Sequence, residues 1–124
     1  MARLAPKAAL TLVLVASSTL LASCGTGGAV SQAKLACVYV QRSLKIQQQS
    51  EDPNLSSSRR VALENRAIAE MVRATPYAAS ATSMDGSWNP LMTTIGEAQR
   101  VPIRNLAASL TRLCRVANSK TPYL

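Results

Sequence analysis

The apolar positions of this chain recur at helical rather than strand spacing, and four segments carry the pattern. Counting 100° per residue from Cys37, the residues Leu35, Ala36, Tyr39, Val40, Leu44 and Ile46 share one wide arc, while Lys34, Gln41, Arg42, Lys45, Gln48 and Gln49 take the remainder. A first helix over residues 31–49 follows, with Ser31 as its N-cap and Asp52-Pro53-Asn54 as its stop and turn. The run Ser56-Ser57-Ser58 offers N-caps to a second helix reaching about Thr75, with an apolar stripe of Val61, Ile68, Met71 and Val72 widened by Ala62 and Ala69. Pro76 is expected to end or kink it. Residues 77–87 read as a short helical piece followed by a loop.

Trp88-Asn89-Pro90 marks the start of a third helix, with Asn89 as N-cap, Pro90 in the first turn, and Leu91, Met92, Ile95 and Ala98 on one side as far as about Arg100. Pro102 kinks this segment or starts the next. The last helix has the cleanest pattern: Ile103, Leu106, Ala107, Leu110, Leu113, Cys114 and Ala117 fall within roughly 120° of arc. The expected fold is therefore all-α, a small four-helix bundle over residues 31–120 with a short tail at 121–124. Cys37 and Cys114 both face its core, so a disulfide between the first and last helices is expected. Closing a loop of ~78 residues contributes about 4.5 kcal/mol by chain entropy.

Ahead of the bundle, Arg3 and Lys7 precede a stretch from residue 8 to 21 that carries no charge and is built mainly of Ala, Leu and Val. At about 14 residues this run is too short to span a ~30 Å hydrocarbon core as a permanent helix, and it reads as a secretory signal. Leu21-Ala22-Ser23-Cys24 follows, then Gly25-Thr26-Gly27-Gly28. This stretch resembles the lipobox of bacterial lipoproteins, and the body resembles short helical lipoproteins of unassigned function. The resemblance implies that residues 1–23 are removed and that Cys24 is diacylated on its thiol. It also implies a location on the outer face of the cytoplasmic membrane or on an outer membrane. Two or three fatty-acyl chains hold a protein stably without a transmembrane helix. Residues 24–30 read as the lipidated Cys and a flexible tether of at most ~20 Å.

Composition narrows the chemistry. The 124 residues include 14 Lys+Arg, 6 Asp+Glu and no His, which excludes imidazole-based triads and His-ligated metal sites. Ser31-Gln32-Ala33-Lys34 has the S-x-x-K spacing of serine penicillin-binding proteins, and Ser87-Trp88-Asn89 and Lys120-Thr121 resemble their other fragments. Such enzymes, however, need a sheet-bearing domain about twice this size. The carboxylates Glu51, Asp52, Glu64, Glu70 and Glu97 form no pair, and no cofactor or metal is expected.

Loss of Arg3 and Lys7 with the leader lowers the net charge from +8 to +6. Arg104, Arg112 and Arg115 share a face of the last helix opposite its apolar stripe, joined by Arg100 if the helices are continuous. That face is a candidate contact for anionic lipid or cell-wall polymer, and nucleic acid is not an expected partner. Trp88, with Tyr77 and Met92 near it in sequence, is a candidate ligand or partner patch. The expected function is a non-catalytic, membrane-anchored interaction module with an envelope partner. A lipid or small apolar-ligand carrier with a pocket near Trp88 is the alternative.

Overall fold

The computed structural model describes residues 26–120, with side chains from residue 28 on. The lipobox with Cys24 and the tail at 121–124 lie outside the described residues. Four α-helices, α1 (Thr26–Ser50), α2 (Ser57–Met84), α3 (Asn89–Glu97) and α4 (Ile103–Ser119), form the all-α bundle expected from the sequence, with a 3-10 turn at Gly86–Trp88 ahead of α3. Helices α2 and α4 both run antiparallel to α1. Ser43 meets Ala67 and Tyr39 meets Tyr77 across the α1/α2 seam, so α2 runs back along α1. The Cys37–Cys114 disulfide, with Cα atoms 5.5 Å apart, fixes α4 against α1. Gln47 lines one hollow with Ile103 and Arg104, which makes that pair of helices antiparallel as well.

The first helix begins at Thr26 rather than at Ser31, and takes in most of the segment expected to be a flexible tether. Two glycines weaken a helix here, but Ala29 and Val30 are buried in the core and Gly28 lies beside the Met84 sulfur at the end of α2. Packing outweighs propensity, and Ser31 is an interior helical residue rather than a cap. The other end is closed as expected. Asn54 N–H donates to Asp52 Oδ1 at 2.9 Å in the turn, and Arg60 donates to the carbonyl of Ser50, the last residue of α1, and to that of Asp52 in the turn.

The second helix is the main departure. Ser56 caps it as expected, accepting from Arg59 N–H, but it runs through Pro76 to Met84. Pro76 removes one helical donor, yet it and Val72 four residues earlier are both exposed, so the carbonyl left over lies on the side open to water. The buried stripe is also different: Ala67, Met71, Ala74, Ala78 and Ala81 face α1, while Val61, Ile68 and Val72 are 52%, 37% and 48% exposed. Ala33 and Ala36 on α1 meet this stripe, and all the alanines are fully buried. A seam of methyl groups lets two helices approach closely and interlock. Leu35, expected in the core arc of α1, is 43% exposed because that arc is narrower and centred on Ala36 and Val40.

Met71, Leu91, Ile95 and Leu110 are the largest fully buried apolar side chains, each stabilising the fold by roughly 1.5–3 kcal/mol. The third helix ends at Glu97, three residues before the expected Arg100, and a turn over residues 98–102 leads into α4. The described core lies wholly between Ala29 and Ala117 and includes the disulfide. Every core residue that the structure describes thus lies after Cys24.

Candidate functional site

Charge is segregated between the two halves of the bundle. Neither the 25 residues of α1 nor the 17 of α4 include an acid, whereas Glu64 and Glu70 stand on α2 and Glu97 ends α3. The joined pair α1/α4 carries Lys34, Arg42, Lys45, Arg104, Arg112 and Arg115. Among the described residues none of the six makes an ion pair; Arg42 lies over the Tyr39 ring, 5.3 Å from its centroid. Arg100 separates from them. It sits in the turn before α4 and its guanidinium pairs with Glu97.

Four of the six cations fall on two stripes. Lys34, Gln41 and Lys45 recur on α1 at i, i+7, i+11, and Arg104, Thr111, Arg115 and Asn118 recur on α4 at i, i+7, i+11, i+14, so each set forms one stripe. Gln41, Leu44, Thr111, Cys114, Arg115 and Asn118 line a groove of about 470 Å³ between the helices. Gln41 from the first stripe and Thr111, Arg115 and Asn118 from the second stripe line it, with Leu44 and Cys114 of the disulfide between them. With Cys37 opposite Cys114, the antiparallel register sets Lys34 near the level of Arg115 and Lys45 near that of Arg104. At 1.5 Å per residue these two cationic rungs stand about 16 Å apart along the bundle.

A second hollow, of about 350 Å³, lies where the 98–102 turn crosses α1 and α2. Gln47, 93% buried, lines it together with Glu64, Ile68, Arg100 and Arg104. Glu64 and Arg104 share its rim without forming an ion pair.

The aromatic patch is divided among different neighbours. Trp88 is only 5% exposed and carries Lys120 Nζ over its ring at 5.4 Å, while Tyr77 stacks on Tyr39 with centroids 5.6 Å apart. Met92 packs half-buried against the core. The four clearest cavities are lined by other residues. Trp88 Nε1 is buried with no hydrogen-bond partner in the described residues. Asp85, beside this ring in sequence, accepts from Ser87 N–H at 2.9 Å. That bond, a side-chain bond to Ser87 and the Lys120 charge hold its carboxyl below the ordinary range despite partial burial.

The sequence alone places Lys34 and Lys45 only in the polar remainder of α1; their alignment with Arg115 and Arg104 follows from the disulfide register. Among the described residues no three metal-capable side chains cluster, and no helix is long and apolar enough to cross a membrane. No protein-family model, curated protein or solved structure matches this chain.

Proposed function

We propose that this protein is an exported, lipid-anchored module of the bacterial envelope that acts by surface contact rather than by catalysis. The observation that carries the reading is Leu21-Ala22-Ser23-Cys24 behind a basic start and a short uncharged apolar run. A disulfide through the core supports it, because such bonds belong to oxidising compartments outside the cytoplasm. Several titratable groups have structural roles: Asp85 caps the 3-10 turn, Arg60 closes the end of α1, and Glu97 and Glu70 pair with Arg100 and Arg73.

Helix α1 starts two residues after Cys24. On this reading there is almost no tether, and the end of the bundle that holds Gly28, Met84 and Lys120 rides at the headgroups. The decisive experiment is Cys24→Ala in the full chain, expressed in a bacterium fed a labelled fatty acid. Loss of label, with loss of the protein from the membrane fraction, is the expected result. Label retained by the variant would overturn the reading.

A further inference from the structure

The geometry points to the α1/α4 face as a docking surface for an anionic bilayer, against which the bundle lies on its side. The charge pattern carries the argument. Arg115 lines the groove, Lys34, Lys45 and Arg104 continue the same two stripes along α1 and α4 to make two rungs, and no acid on either helix offsets them. Arg42 and Arg112 extend the cationic area on its two flanks. A face of one sign with no internal ion pairs attracts a surface of the opposite sign.

A plane fits this face better than a threaded polymer does. A linear polyanion in the groove meets only its lips and leaves Arg42, Arg112 and Val38 unused. Val38 is 42% exposed and lies between the Lys34/Lys45 stripe and Arg42 around α1 at 100° per residue. An apolar side chain flanked by long cationic ones suits the boundary between headgroups and acyl chains, where lysine stems lie along apolar surface and keep their charge in water.

The location of this membrane rests on the anchoring proposed above. Thr26 begins the helix next to Cys24, and Lys34 stands about 12 Å further along the axis. An anchor at that distance keeps the local concentration of membrane high, so a weak face suffices. The face itself is a property of the folded body and is testable without the anchor.

The test uses the disulfide-bonded chain starting at Gly25, which contains its whole described core and no acyl group. It is sedimented with vesicles of phosphatidylcholine alone or with one-third phosphatidylglycerol. A variant with Lys34, Lys45, Arg104 and Arg115 all changed to Gln is compared with one in which Arg59, Arg66, Arg73 and Arg100 are changed to Gln. Both lose four charges, so net charge is held equal. The parent and the second variant are expected to bind the anionic vesicles and to release them as salt rises, with binding at least tenfold weaker for the first variant. Val38→Ser in the parent is expected to weaken binding severalfold and leave the salt dependence unchanged, a readout independent of the fourfold variant's folding.

Equal binding by the two fourfold variants, or no preference of the parent for anionic vesicles, overturns the proposal. Binding of soluble polyphosphate without binding of vesicles overturns it also, and assigns the groove to a polymer. Because Cys24 is absent from this chain, a negative result here leaves the acylation reading intact. A failure of acylation likewise leaves a positive vesicle result standing.

Discussion

Cys37 and Cys114, 77 residues apart in sequence, are bonded across the two helices that carry no acid. The bond sits fully buried beneath the cationic groove, so the same link closes the chain and sets the register of the two basic stripes. In a body this small the core alone gives limited stability. Reduction, or Cys37→Ala with Cys114→Ala, is expected to cost about 2–5 kcal/mol, seen as a drop in the urea midpoint. A midpoint unchanged by reductant would show that the helices hold their packing without the link.

The α1/α2 seam leads to a second expectation. Ala74 and Ala78 are fully buried where α2 faces α1, and Val72 on the other side of α2 is 48% exposed. Ala78→Leu would force the helices apart and is expected to cost about 1–3 kcal/mol. Val72→Thr changes a surface position and is expected to stay within about 0.5 kcal/mol. Thermal unfolding of the two variants separates these outcomes. The reverse order would place the valine stripe in the interface.

The contrast between α4 and α2 explains what was legible in the sequence. On α4 the apolar stripe is made of Ile, Leu and Cys, and Ile103, Leu110, Cys114 and Ala117 are buried as their spacing implies. On α2 the interface is made of alanines, which a hydrophobic-face argument ranks below the valines and isoleucine that the fold leaves exposed. The start of α1 was hidden for a related reason: Gly27 and Gly28 read as tether, and only the partner helix at Met84 shows that the chain packs there. At the candidate site, Arg104, Arg112 and Arg115 were visible from α4 alone. Lys34 and Lys45 entered only through a contact 77 residues long in sequence, which no local pattern encodes.

Gly96 gives a prediction of the opposite sign. It lies inside α3 with ordinary negative φ, and a Cβ built on it meets nothing within 4 Å. Gly96→Ala is expected to stabilise the bundle by about 0.4–1 kcal/mol by restricting the unfolded chain and favouring helix. Gly28→Ala should gain less, because its methyl would rest 3.4 Å from the Met84 sulfur. Paired melting curves check both, and a loss of stability in Gly96→Ala would mean that α3 needs the glycine for a reason other than backbone geometry.

Tyr39 and Tyr77 stack with an interplanar angle of 10°, and the neighbouring Tyr39 phenol, through its hydrogen-bonding hydroxyl and then its charge, together with slight burial, raises the Tyr77 pKa above its ordinary 10.0. Above pH 10 the unfolded chain can ionise this phenol while the folded chain resists. The contribution is therefore fully present below pH 10 and is lost as pH rises through the raised value. Tyr39→Phe removes the partner hydroxyl and keeps the ring. Ultraviolet titration of this variant is expected to show Tyr77 ionising closer to its ordinary pH than in the parent, with Tyr77→Phe identifying its share of the signal. The parent should also lose stability more steeply than Tyr39→Phe above pH 10. If Tyr77 titrates at the same pH with and without the Tyr39 hydroxyl, the two rings share a stack but no hydrogen bond.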